Sequence, residues 1–108
     1  MEGNIDAILI DDDLLVHATW ELSAIKNNKS IQIFHSPNEF FAQSNRVPYK
    51  TPIYIDSNLS KGLKGELVAK EIHNEGFENI YLTTGFNKHD FVPMYWIKGI
   101  LDKAPPWE

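Results

Sequence analysis

The stretch Ala7-Ile8-Leu9-Ile10-Asp11-Asp12-Asp13 decides the fold class, because four apolar residues run directly into three acids. A short apolar run without alternation is typical of a strand that is buried on both faces, as in a parallel sheet. The run Ile53-Tyr54-Ile55-Asp56 repeats the pattern, since an acid again closes an apolar segment. We therefore expect two buried strands that both end at acidic residues.

A helix is predicted to follow the first strand, from Leu14 to about Lys26. Apolar residues recur there at helical spacing, and Asn27-Asn28 supplies a natural end. The face expected to pack on the sheet consists of Leu15, Ala18, Leu22 and Ile25.

Two further helices are predicted. Ser36, Pro37 and Glu39 stand in the order of an N-cap, a first-turn proline and a capping-box acid, which is typical of a helix start. The later helix is expected to end near residues 74–76. Its apolar face is expected to consist of Leu67, Val68 and Ile72.

Strand patterns also occur at residues 31–34, 79–82 and 96–101, whereas residues 87–94 indicate only a brief or irregular helix. Strands that alternate with helices predict an α/β fold with a doubly wound, five-stranded parallel sheet. We expect residues 1–108 to form one domain. The expected sheet interior consists of Ile8, Ile10, Ile33, Ile53, Ile55, Ile80 and Leu82.

The composition narrows the class of protein. Of 108 residues, 43% are hydrophobic, which favours a packed globule over a disordered chain. The formal net charge is −5, which disfavours direct nucleic-acid binding, and the absence of cysteine excludes a disulfide framework. No apolar run is long enough to cross a membrane. We expect a cytoplasmic protein.

The residues that could bind a ligand or take part in a reaction lie at the ends of the predicted strands. Asp11 and Asp12 follow the first strand, Asp56 the third, Thr84 the fourth and Lys103 the fifth. In an open α/β sheet, ligands bind beyond the carboxyl ends of the strands, so these side chains are expected to converge.

Clustered carboxylates repel one another, and a divalent cation with oxygen preference relieves that repulsion. Mg²⁺ uses few protein carboxylates and leaves room for phosphate oxygens. The Thr84 hydroxyl and the Lys103 ammonium could bind those oxygens, which leaves Asp56 as the nucleophile. Asp13 is expected to cap the first helix, and the alternative for Thr84 and Lys103 is an ordinary strand-end hydroxyl and a solvated lysine.

Four segments resemble, in order and spacing, the motifs of response-regulator receiver domains: Ile8-Leu9-Ile10-Asp11-Asp12-Asp13, Ile53-Tyr54-Ile55-Asp56, Leu82-Thr83-Thr84-Gly85 and Lys103. The resemblance implies a flavodoxin-like fold and a phosphoacceptor module of two-component signalling, which is phosphorylated by a histidine kinase or a phosphotransfer protein and is not an enzyme with turnover. It implies phosphorylation at Asp56, with Thr84 and Lys103 as the phosphate-binding hydroxyl and lysine. It also implies Mg²⁺ at Asp11, Asp12 and Asp56, with the main-chain carbonyl of Asn58 completing the metal shell.

Departures from the family pattern lie mostly near the C-terminal end. Lys103 is followed by Ala104 before Pro105-Pro106, where the family lysine directly precedes a proline, and Ile100 stands where an aromatic switch residue is common. The sequence stops at Glu108, so the last helix of a typical receiver is expected to be missing. Trp96 and Trp107 could cover the sheet face that this helix vacates and offer a surface to an output partner, which the sequence does not identify.

Two rival functions fit part of the pattern. In a phosphorylation-independent pseudo-receiver, the same fold would serve as a binding module. In a small phosphohydrolase of the haloacid-dehalogenase kind, Asp11 would be the nucleophile and Asp13 the acid/base. That second hypothesis leaves Asp56 without a role.

Overall fold

The computed structural model describes residues 5–85 and 91–108. Five strands form one parallel sheet in the order β2-β1-β3-β4-β5. The strands are β1 Ala7–Ile10, β2 Ile31–Phe34, β3 Ile53–Asp56, β4 Ile80–Thr83 and β5 Gly99–Leu101. The predicted five-stranded parallel α/β fold is therefore confirmed.

Three α-helices connect the strands: α1 Leu14–Lys26, α2 Pro37–Gln43 and α3 Gly65–Asn74. Short 3-10 turns lie at Ser44–Arg46 and Ser60–Gly62. Residues 102–108 contain no helix, as expected from the sequence. Of the predicted irregular segment 87–94, residues 87–90 lie outside the described ranges. In those ranges, no helix has the length and apolar character to span a bilayer.

Alternation along the strands divides the core between the two sheet faces. On one face, Ile8 and Ile10 pack in a cluster that includes α3 residues Val68 and Ile72. On the other face, Leu9 lies in a smaller cluster that includes Trp20 of α1. The sheet is thus covered by helices on both sides, as a doubly wound fold requires.

Local sequence explains where the helices begin. Asp13 accepts a hydrogen bond from the Leu15 amide as the N-cap of α1, as predicted. Ser36 caps α2 by accepting from the Glu39 amide, and the Glu39 carboxylate accepts from the main-chain amide of His35. The predicted capping box is therefore present, except that Glu39 accepts from the amide of His35 and not from that of the N-cap residue Ser36.

The predicted inner face of α1 is wrong. Leu15, Ala18, Leu22 and Ile25 are exposed, whereas Trp20 and Ala24 face the sheet. Apolar residues at helical spacing occur on both sides of this helix, so periodicity alone could not choose between them. The inner side carries the indole of Trp20, which is fully buried in the cluster with Leu9 and Tyr54.

Smaller corrections concern two residues and two strands. Ile33 was expected in the interior but is only partly buried, because β2 is an edge strand. Leu67 was expected on the inner face of α3 but is exposed, and Ala69 lies there instead. β5 is three residues long rather than six, and β4 begins and ends one residue later than expected.

Candidate functional site

The carboxyl ends of β1 and β3 bring two aspartates together. Asp11 follows the last residue of β1, and Asp56 is the last residue of β3. These strands are neighbours, with Ile10 in register with Ile55. Both carboxylates are buried, with 0% of the Asp11 side chain and 6% of the Asp56 side chain exposed.

Lys103 joins these two carboxylates. Its Nζ lies 2.9 Å from Oδ1 of Asp56 and 3.2 Å from Oδ2 of Asp11. The lysine side chain is 30% exposed, so the site opens to solvent on this side. Ala104 stands where the family pattern has proline, yet Lys103 still reaches the acids.

Asp12 adds a third carboxylate at the mouth of the site. Asp11, Asp12 and Asp56 each offer an oxygen within 4.8 Å of the other two, and Asp12 is exposed. With all groups ionised, three carboxylates and the Lys103 ammonium leave a net charge of −2. Oxygen donors at this spacing with residual negative charge fit a hard divalent cation such as Mg²⁺.

A tight loop after β3 supports Asp56. The Asn58 amide donates to Oδ1 of Asp56 at 3.1 Å, and the Gly65 amide donates to the Ser57 carbonyl at 3.0 Å. A Cβ atom at residue 65 would collide with the Asp56 carbonyl oxygen. Only glycine therefore lets α3 begin this close to Asp56.

Thr84 lies at the same sheet edge, directly after β4, and is buried. Its amide donates to the Leu101 carbonyl at 3.0 Å and so ties the end of β4 to β5. The preceding residue, Thr83, is in register with Asp56, and its buried hydroxyl has no hydrogen-bond partner among the described residues. The four predicted strand ends thus meet at one edge.

Comparison with known proteins identifies the architecture. No protein-family model matches the sequence, and a search of curated proteins gives no significant match. Three solved structures match at 14% to 16% identity. The chain has the fold of response-regulator receiver domains.

One of these structures is the N-terminal domain of a response regulator/sensory box/GGDEF three-domain protein from Carboxydothermus hydrogenoformans, with a TM-score of 0.74 over 92% of this chain and 82% of that one. FixJ-N matches with a TM-score of 0.72 over 100% of this chain and 86% of that one. The response regulator StyR matches with a TM-score of 0.71 over 90% of this chain, which spans 50% of the StyR chain. At these identities the likeness concerns the receiver fold.

Burial and charge set the ionisation of this receiver-fold site. Burial raises the pKa of Asp11, and the negative charge of Asp56 adds to it, while the Asp13 amide and Lys103 partly oppose the shift. Burial by itself would lower the pKa of Lys103, but the hydrogen bond from Lys103 to Asp56 and the charges of both acids outweigh it and raise the pKa. Lys103 is therefore held as a cation, whereas Asp11 takes up a proton more readily than an ordinary aspartate.

Sequence reasoning missed the residues that hold the Lys103 main chain. The indole Nε1 of Trp20 donates to the Lys103 carbonyl at 3.0 Å. The Trp107 ring packs edge-on against Trp20 with centroids 5.5 Å apart, and its Nε1 donates to Oγ of Ser23 at 2.8 Å. We call Trp20, Ser23 and Trp107 the tryptophan clamp. No local sequence pattern identifies the clamp, because its contact between Ser23 and Trp107 joins residues 84 positions apart.

Trp96 and Trp107 were both expected to cover the sheet face that the last helix vacates, and the two residues lie on different sides of the sheet. Trp107 packs on the α1 side, in the cluster with Leu9. Trp96 packs on the opposite side, where its Nε1 donates to the Glu66 carbonyl at 2.8 Å and Lys70 lies over its ring. Of the two tryptophans, only Trp107 covers the α1 side.

Proposed function

We propose that this chain is a phosphoacceptor module that receives a phosphoryl group on Asp56 in a Mg²⁺-dependent reaction. The observation that carries the proposal is the contact of 2.9 Å between the Lys103 ammonium and Asp56, within a cluster that also holds Asp11 and Asp12. A carboxylate, an ammonium and donors for a divalent cation are the groups that phosphoryl transfer requires. The receiver fold supports the same function.

The donor is a histidine kinase or a phosphotransfer protein. An oxygen of the Asp56 carboxylate attacks the phosphorus, the bond between phosphorus and the donor imidazole nitrogen breaks, and an acyl phosphate forms on Asp56. Lys103 neutralises the growing charge on the phosphoryl oxygens, and the Thr84 hydroxyl binds one of them. The chain is modified once per cycle and does not act as an enzyme with turnover.

The metal would be held by carboxylates of Asp11, Asp12 and Asp56, and by the main-chain carbonyl of Asn58. Its charge would offset the repulsion between the acidic site and the incoming phosphoryl group. The protein would act in the cytoplasm, change its affinity for an output partner on phosphorylation and make no direct contact with nucleic acid or membrane.

The test is incubation with acetyl phosphate and Mg²⁺, followed by intact-mass analysis. The parent should gain one phosphoryl group, Asp56→Asn should gain none and Lys103→Ala should react more slowly. Asp6→Asn, a change of an exposed aspartate at the opposite end of β1, is the matched control and should behave as the parent. Rapid labelling of Asp56→Asn would overturn the assignment.

Two outcomes would redirect the function. Modification at Asp11 would favour the phosphohydrolase, although its proposed acid/base, Asp13, already serves as the N-cap of α1. A parent that binds Mg²⁺ but is not labelled by any donor would favour the pseudo-receiver.

A further inference from the structure

Helix α1 is apolar on two opposite sides. Its inner side buries Trp20 and Ala24 against the sheet. Its outer side exposes large apolar side chains, which are between 68% and 76% accessible: Leu14, Leu15, Leu22 and Ile25. A helix with apolar residues on both sides is normally covered on both sides.

The spacing on the outer side indicates what covers it. Leu15, Ala18, Leu22 and Ile25 follow one another at intervals of three, four and three residues, which is the a/d repeat of helices that pack lengthwise. We call these residues the outer seam. All of them are exposed, and on a helical projection they lie opposite the buried Trp20 and Ala24. A seam of this period fits another helix running alongside α1.

The exposed area suits a pair of such helices. With 68% to 76% of each residue exposed, Leu14 and the three large seam residues offer about 500 Å² of surface per molecule, so two copies would bury about 1,000 Å². This is near the lower limit for a specific interface, which indicates a weak, concentration-dependent dimer.

The charges beside the seam favour a parallel pair. Glu21 and Lys26 flank the seam on opposite sides, at the g and e positions of the repeat, and both are exposed. In a parallel pair, a g residue faces the e residue five positions later on the other helix. Glu21 of each copy would therefore meet Lys26 of the other, whereas an antiparallel pair would place like charges together.

We propose that two copies of this chain associate in parallel through the outer seam of α1, about a two-fold axis along the helix pair. The sheets then lie back to back on the outside of the pair. The proposal uses no residue of the candidate site and does not depend on phosphorylation of Asp56.

The first test is sedimentation equilibrium over protein concentrations from about 10 µM to about 1 mM, the range in which a weak interface of this size is populated. The parent should shift from monomer to dimer, and Leu22→Ser should raise the dissociation constant about 10-fold or more, because the change occurs twice in a symmetric interface. Leu67→Ser is the matched control, since Leu67 is 59% exposed on α3, away from the seam. It should leave the dimer intact, and circular dichroism should show both variants folded.

The second test fixes the orientation. Glu21→Lys should weaken the dimer about threefold or more, and the double variant with Lys26→Glu should restore it, because opposite charges then face each other again. The chain has no cysteine, so Ala18→Cys introduces a single thiol at a d position. In a parallel pair the two copies of residue 18 face each other, and oxidation should yield a disulfide-linked dimer.

A parent that remains monomeric at the highest concentration would overturn the proposal. A dimer whose dissociation constant Leu22→Ser leaves unchanged would also overturn it. The same holds if Leu22→Ser slows phosphotransfer from a helical kinase but does not change self-association. A dimer that loses affinity with Leu22→Ser but fails to cross-link through Ala18→Cys would refute the parallel arrangement.

Discussion

Replacing Lys103 with methionine should destabilise the fold, because the ammonium neutralises two buried acids. Its Nζ lies 2.9 Å from Asp56 and 3.2 Å from Asp11, and without it these carboxylates would repel each other. Removing one partner of a fully buried ion pair costs about 3–5 kcal/mol. Lys103 is 30% exposed, so solvent screening lowers the expected loss in the free energy of unfolding to about 1–3 kcal/mol.

The pH and metal dependence of this loss test its cause. The pKa of Lys103 is raised above its ordinary value of 10.5, so its stabilising effect is complete at neutral pH and disappears only as pH rises through the higher folded value. In Lys103→Met, acidification should reduce the loss, because protonating one carboxylate removes the repulsion. Mg²⁺ should reduce it as well, through binding to the folded state.

Urea denaturation at neutral pH in EDTA measures the effect, with repeats in Mg²⁺ and at lower pH. Lys98→Met is the matched control, because Lys98 is an exposed lysine next to β5. Equal midpoints for Lys103→Met and the parent would refute the electrostatic reasoning. If neither Mg²⁺ nor acid reduces the loss in the free energy of unfolding, the effect comes from packing of the Lys103 side chain and not from its charge.

Three other predictions concern the metal site and the core. Asp11→Asn combined with Asp12→Asn should weaken Mg²⁺ binding, and unchanged affinity in isothermal titration would exclude this site. Because burial raises the pKa of Asp11, protons should compete with Mg²⁺ at higher pH than they would at an ordinary aspartate, so the affinity should fall as the pH is lowered, and less steeply in Asp11→Asn. Ile55→Ala, at a fully buried position, should lower the free energy of unfolding by about 2–5 kcal/mol, whereas the exposed Leu67→Ala should change it by less than about 1 kcal/mol. Similar denaturant midpoints for these two variants would contradict the placement of β3.

The sequence predicts the sheet well because its buried strands are short and chemically distinct. The bounds of β1 and β2 agree with the expectation, and β3 extends it by one residue to include Asp56. Parallel topology then places the strand-end residues at one edge, which explains why Asp11, Asp56 and Lys103 could be grouped before any contact was known.

Helix orientation is harder to predict, since it depends on competition between two apolar faces. In α1, the inner side carries Trp20, whose ring packs on Tyr54 and Trp107 and whose Nε1 donates to the Lys103 carbonyl, whereas the regular stripe of Leu15, Leu22 and Ile25 stays exposed. Hydrophobic periodicity likewise could not predict the tryptophan clamp, because the clamp depends on contacts between α1 and Trp107. Such contacts follow from how the chain closes on itself and have no local signature.

The position of Lys103 depends on the stability of the tryptophan clamp, which holds its main chain. The hydrogen bond from Trp20 to the Lys103 carbonyl joins residues 83 positions apart. Because β5 ends at Leu101, this bond holds only the short segment that follows the sheet. Residues 102–108 contain no helix, and apart from this bond they are held on α1 through Trp107 and through Glu108, whose carboxylate accepts a hydrogen bond from the Ser23 hydroxyl. Detachment of this short segment would withdraw the ammonium from both carboxylates while the sheet stays folded. On heating, the segment should open at temperatures below those of global unfolding. The rate at which Asp56 is phosphorylated should fall over that same temperature range.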